Sequence, residues 1–340
     1  MDVLRGRLKT IKMFYKSWWQ HIQLFLVGTL IVVLIQGCDA LLSQPLQPQK
    51  PEVLSNCRVV QHKIGKSCIP VDPQRIIVMD QESLEILVAL GIKPIATTTA
   101  NRVGDKAPIL NGKIDTIIDL GKEGQPNLEK IVQLNPDLII GMFIEPENYK
   151  LFSGIAPTIS MDFSHAEWKR ILRQFGEILD KKQAVEKLLD DYQQKIKDLK
   201  FVVEQKLGDT KVSIMRFYTT LEFTQFLNHV SFPGSVIEEL KLISLPTVQR
   251  QLEGTDETYV NVSLERVDLL DADAIFVALD PGAEKNFQLY AGSPLWQTLK
   301  AVKNQRVYIV DSGYWVFGSI LSANAILDDV LKHLVQKQTS

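Results

Sequence analysis

The stretch from Ala166 to Gln205 constrains this chain more than any other. Apolar residues recur there at helical spacing: Trp168, Ile171, Leu172, Phe175, Ile178 and Leu179, then Val185, Leu188, Leu189, Tyr192, Ile196 and Leu199. Steps of three and four residues put them on one face of a helix and exclude a strand, whose period is two. Asp180 followed by Gln183 has the pattern of a capping box, so the spacing predicts two helices, the second starting near Lys181. From Lys181 to Gln205, at ~1.5 Å per residue, that second helix would run roughly 37 Å. Strand–helix alternations precede the stretch and resume after it. A long rigid helix between two α/β halves predicts two lobes at a nearly fixed separation, with a cleft between them. The alternative is an ordinary surface helix on one larger α/β domain.

The chain's 340 residues are too many for one typical core and comfortable for two. A net charge of -2, with no Lys/Arg-rich run beyond the N-terminus, argues against a nucleic-acid binder. Residues 1–37 read as an export signal: Arg5, Arg7, Lys9, Lys12 and Lys16 form a positive head before the apolar run Ile22 to Ile35. That run is shorter than the ~20 residues a membrane-spanning helix needs. The head is long enough that translation can start at Met1 or at Met13. The run ends Leu34-Ile35-Gln36-Gly37-Cys38, which resembles a bacterial lipobox. The resemblance implies that Cys38 carries a lipid and anchors the mature chain in the cell envelope. The alternative is an uncleaved signal anchor with an incidental cysteine. Residues 38–56, with SQPLQPQKPE at their centre, read as a Pro-rich tether that cannot build a core.

Export would place Cys57 and Cys68 in an oxidising compartment. CRVVQHKIGKSCIP looks like a hairpin turning near Ile64-Gly65, which sets Cys68 opposite Gln61, several residues from Cys57. A disulfide then needs a wider loop or an earlier turn, and the pairing stays open. Two cysteines with only His62 between them fall short of a zinc site.

Strands are expected over Arg75–Asp80, Lys93–Thr99, Asp115–Leu120, Asp137–Met142 and Thr158–Met161. The helices between them are Gln81 to Leu90, stopped by Gly91, Asn127 to Gln133, and Pro146 to Gly154. After the long helix come strands Lys211–Tyr218, Ala274–Leu279 and Val307–Val310, with helices Gly234–Leu242, one capped by Ser263, and Gly318–Lys337. Strands separated by helices of about ten residues imply βαβ units and largely parallel sheets. The expectation is an α/β chain of two lobes with largely parallel sheets: residues 57–165 form the N-terminal lobe, 166–205 the connecting helices, and 206–340 the C-terminal lobe.

Several blocks in order then resemble a known family: PQRIIVMDQESLEILVALGIKPIA, LGKEGQPNLEKIVQLNPDLIIG, IAPTI, the long helix, VSLERVDLLDADAIFV and LWQTLKAVKNQRVYIVDSGYW. They are similar to the periplasmic binding proteins for ferric siderophores and vitamin B12, the class III, long-helix-bridged binding proteins. The resemblance implies a two-lobe fold bridged by one long rigid α-helix, a ligand held between the lobes, and delivery to the permease of an ABC importer. By motif position it implies that Glu129 (in NLEKI) and Glu265 (in VSLERV) dock to arginine pockets of that permease. Each lies in a first helical turn, where the dipole favours a carboxylate. The plainer role is to stabilise that helix end.

A bulky, oxygen-rich ferric siderophore suits Arg, Tyr and Trp. Candidates at strand ends or in the following loops are Arg102, Arg216, Tyr218, Tyr314 and Trp315, with Arg216 and Tyr218 at period two on one strand. The plainer role for each is a structural salt bridge or a core aromatic. No G-x-S-x-G, H-E-x-x-H or Walker A pattern is present, so catalysis has no support. His62, His165, His229 and His333 are scattered, so no metal site or cofactor is expected, and His62 and His165 read as structural or exposed. The sequence thus describes a monomeric, lipid-anchored, periplasmic receptor for a ferric siderophore. Vitamin B12 or haem on the same scaffold is the near alternative, and an envelope lipoprotein of enzymatic or protein-interaction role the distant one.

Overall fold

The apolar runs between Arg75 and Met161 are buried because the sheet they form is covered on both faces. The structure is a computed structural model, which describes residues 57–99, 108–219, 223–241, 243, 244, 246 and 257–336. The expected signal and tether, with Cys38, lie outside the described residues.

The described chain opens on a hairpin, β1 (Cys57–His62) and β2 (Gly65–Pro70), in which His62 faces Gly65. The turn is therefore Lys63-Ile64, one residue earlier than the sequence suggested, and Cys68 falls opposite Val59 rather than Gln61. That register brings Cys68 within a diagonal step of Cys57, and a disulfide joins them with Cα atoms 5.5 Å apart.

The first lobe follows: β3 (Ile76–Val78), α1 (Gln81–Ala89), β4 (Ala96–Thr99), β5 (Ile118–Lys122), α2 (Leu128–Gln133), β6 (Leu138–Gly141), α3 (Pro146–Ser153) and β7 (Thr158–Ser160). Its five strands are all parallel, in the order β5-β4-β3-β6-β7. Asn127 caps α2 as expected, its Oδ1 accepting from Lys130 N at 3.0 Å.

Two helices then cross between the lobes, α4 (Trp168–Ile178) and α5 (Lys182–Lys206). At 25 residues and ~1.5 Å per residue, α5 is about 37 Å long. The expected capping box at Asp180 does not form. Asp180 adopts a left-handed backbone (φ 54°), and Lys181 N donates to Gly176 O at 2.7 Å, closing α4 in a Schellman-type turn. Asp180 thus ends one helix instead of starting the next. The turn folds α5 tightly onto α4: a Cβ at Gly176 would lie 2.6 Å from Val185 Cγ2.

The second lobe contains β8 (Thr210–Phe217), β9 (Thr224–Leu227), α6 (Phe232–Glu238), β10 (Ile243–Ser244), β11 (Tyr259–Val262), β12 (Ala274–Leu279), α7 (Glu284–Ala291), α8 (Lys300–Lys303), β13 (Val307–Asp311), α9 (Ser312–Trp315) and α10 (Ile320–Val330). The sheet order is β11-β9-β8-β12-β13, with β10 also pairing with β8. β8, β12 and β13 are parallel, while β9 runs against β8 and β11. The segment after Ser263 is a 3-10 helix, Leu264–Leu270, instead of an α-helix, and Gly318–Lys337 resolves into α10 and a π-helical turn, Leu331–Gln336. One apolar cluster runs from β3 and β6 through α4 and α5 into β8, β12 and α10, so both lobes share core with the long helix.

Candidate ligand site

In open parallel sheets, ligands bind beyond the carboxyl ends of the strands. Here the segments that leave those ends in one lobe touch those of the other. Phe143 follows β6, Phe163 and His165 follow β7, Asp280 follows β12, and Tyr314 and Phe317 lie beyond β13. The rings of Phe143, Phe163, His165 and Phe317 form a continuous run. Phe143 and Phe163 have centroids 4.6 Å apart, Phe163 meets His165 edge-on at 4.4 Å, and His165 lies 5.2 Å from Phe317 across the lobe junction. The Arg216 guanidinium lies 5.4 Å from the Phe317 ring and 3.8 Å from that of Tyr218. All five rings are half-buried. Gln81, just after β3, closes the junction by donating from Nε2 to Gly313 O at 2.7 Å.

The candidates read from the sequence divide sharply. Arg216 is 1% exposed. Its Nε donates to Asp280 Oδ1 at 2.9 Å and its Nη2 to Oδ2 at 2.8 Å, while Nη1 donates to the Tyr218 hydroxyl. The guanidinium is thus committed to a forked, buried ion pair beneath the rings, and β8 ends before Tyr218. The alternating spacing of Arg216 and Tyr218 therefore brings them into contact with each other. Trp315 is fully buried: its ring stacks on Phe276 at 4.6 Å and its Nε1 donates to Asp329 Oδ2 at 2.8 Å. That indole is a core side chain, as α9 turns it inward. Tyr314 is half-buried, and its hydroxyl donates to the same Asp329 oxygen at 2.8 Å. Burial first, then this carboxylate, push the Tyr314 phenol well above its ordinary range. Arg102 lies outside the described residues.

Sequence reasoning missed Phe143, Phe163, Phe317 and Asp280, and it left His165 as a structural or exposed residue. Their common signal is position: each follows the carboxyl end of a strand. A separate cavity of about 510 Å³ lies between β1, the end of β7 and α4. Its Arg58 donates from Nη1 to Glu177 O at 2.9 Å and so completes the carbonyl end of α4. That is a structural role, and the ring-lined junction remains the candidate site.

Glu129 stands exposed in the first turn of α2, and Glu265 exposed in the 3-10 segment of the other lobe. A hydrogen bond from Ser263, then a backbone N–H, hold the Glu265 carboxyl below its ordinary value. Among the described residues no group of three or more His, Cys, Asp or Glu could hold a metal ion, and no helix is long and apolar enough to cross a membrane.

Two α/β lobes on a 25-residue helix, with rings of both lobes meeting at the strand ends, define a long-helix-bridged solute-binding protein. The family model for periplasmic binding proteins matches residues 76–314, and the chain belongs to that family. It is a binding protein and not an enzyme. It is 31% identical over 325 residues to the probable siderophore-binding lipoprotein YfiY of Bacillus subtilis (strain 168), covering 92% of this chain and 97% of that one. The Fe(3+)-citrate-binding protein YfmC of the same organism is 28% identical, covering 91% and 95%. Staphylococcus aureus SirA, solved in complex with staphyloferrin B, superposes with a TM-score of 0.72 at 26% identity, covering 82% of this chain and 98% of that one.

Proposed function

We propose that this chain captures an intact ferric siderophore in the ring-lined junction and delivers it to the permease of an ABC importer, without doing chemistry on it. The observation that carries the reading is the run Phe143–Phe163–His165–Phe317 across the two lobes, with the half-buried Tyr218 ring beside it, held from beneath by the buried Arg216. Such a surface suits the apolar flanks of a chelate whose own oxygens saturate the iron. The relatives named for siderophore and ferric-citrate binding support the same class. Glu129 and Glu265 would engage arginines of the permease, one from each lobe. A lipid on Cys38 would hold the monomer at the membrane while the tether spans the gap. Fluorescence titration with ferric hydroxamate, ferric catecholate, ferric citrate, cobalamin and haem tests this. Saturable binding of a ferric chelate is expected. Binding of cobalamin or haem alone would replace the ligand class, and tight uptake of chelator-free iron would refute the reading.

A further inference from the structure

The helix that closes the second lobe, α10, starts without a cap of its own. Ser319 occupies the N-cap position, yet it makes no side-chain capping bond. The free N–H groups are satisfied from the other lobe. Glu85, mid-way along α1, is fully buried, and its Oε1 accepts from Ser319 N at 2.9 Å and Ser322 N at 2.7 Å. Its Oε2 accepts from Ser322 Oγ at 2.7 Å. Burial pushes the Glu85 carboxyl above its ordinary value, and the hydrogen bonds from Ser322 and Ser319 oppose that shift. The two backbone N–H groups can only donate, and the positive end of the helix dipole favours the acceptor they face. The fit is close: a Cβ at Gly318 would lie 2.3 Å from the Ser322 side chain and 3.1 Å from Glu85 Oε2. One turn earlier on α1, Gln81 holds Gly313 O. These two anchors bracket the segment from Gly313 to Ser319, which carries Tyr314 and Phe317.

We infer that Glu85 is a positioning residue of the ligand site: by capping α10 from the opposite lobe, it fixes Phe317 between His165 and Arg216 without touching the ligand itself. This rests on the proposed siderophore-binding function. A side chain that only supported the fold would lower stability and leave the affinity of the folded fraction unchanged. One that acts through Phe317 must couple to it.

The test compares Glu85→Gln, Phe317→Ala and the double variant, with circular dichroism confirming the fold. The ligands are the ferric hydroxamate, catecholate and citrate complexes. Glu85→Gln keeps the shape, and its NH₂ can donate to Ser322 Oγ. It removes the carboxylate that the two backbone N–H groups of α10 face, replacing charge-assisted hydrogen bonds by neutral ones, and it should weaken binding roughly ten- to a hundredfold. The double variant should be no weaker than Phe317→Ala by more than about twofold, because contacts in series do not add. In the ligand-free protein, amide hydrogen exchange across residues 313–322 should quicken in Glu85→Gln. If Glu85→Gln unfolds, Ser322→Ala removes one donor, keeps the charge, and should show a smaller loss with the same coupling. Unchanged affinity and exchange, or losses that simply add, would overturn the inference. A wild-type chain that binds none of the three chelates would overturn the siderophore reading instead, and the exchange measurement would still decide whether Glu85 orders the segment.

Discussion

Removing either partner of the Arg216–Asp280 pair should cost far more than removing both. The two side chains are 1% and 6% exposed and joined through two parallel hydrogen bonds. Breaking such a buried pair from one side leaves an uncompensated charge and costs ~3–5 kcal/mol, whereas replacing both members by apolar groups is often close to neutral. For a folded unit of this size each kcal/mol shifts the midpoint by about 2 °C, so Arg216→Met or Asp280→Leu should lower Tm by roughly 6–10 °C. The double variant should regain most of that loss. Thermal unfolding followed by circular dichroism reads all three. Titration of the double variant with the preferred chelate then separates support from contact. If the pair only supports the Tyr218 ring, affinity should fall less than tenfold; a complete loss would return Arg216 to direct contact with the ligand. Single variants within about 1 kcal/mol of wild type, or a double variant as unstable as the sum of the singles, would refute the buried-pair reasoning.

Glu129→Arg or Glu265→Arg should abolish chelate uptake in cells while leaving affinity within about twofold, since both side chains are exposed and make none of the junction contacts; a large affinity loss would place them in the ligand site or the fold. Cys38→Ala should eliminate palmitate labelling, and labelling that persists would sink the lipid anchor. Burial lowers the His62 imidazole below its ordinary value, while its Nε2 bonds Ser67 Oγ at 3.0 Å. A depressed folded value means that the unfolded chain takes up the proton more readily. The stabilisation is therefore full above about pH 6.5 and fades as pH falls through the folded value. Denaturant melts from pH 8 to pH 5 should show a steeper loss for wild type than for His62→Gln, and parallel curves would contradict this.

The helical stretch was legible because one periodicity decides it: the predicted face Val185, Leu189, Tyr192, Ile196 and Leu199 is the face that α5 buries. The buried strands β3, β6, β8 and β12 announce themselves as apolar runs. β9 and β11 do not: β9 begins with the polar Thr224 and Gln225, whose burial comes from antiparallel pairing, and β11 leaves Tyr259 and Asn261 exposed. Asp180 misled for a local reason: the same residue type caps a helix start and tolerates a left-handed helix end, and only the tight α4–α5 turn chooses.

The site was less legible because its logic is one of register. Residue type pointed to Arg216 and Trp315 as ligand contacts. The parallel pairing of Leu279 with Phe217 sets Asp280 one step past the strand, where it takes the guanidinium. Residue type likewise assigns Phe143, Phe163 and Phe317 to the core, and only the placement of strand ends brings them into one line. The cap on α10 is the extreme case: Glu85 and Ser322 stand 237 residues apart, and neither has a local pattern that names the other. What joins them is the packing of α10 on α1, α5 and α6. That packing makes the closing helix a shared part of both lobes, so the rings on the segment before it are held by the N-terminal lobe as well as by their own.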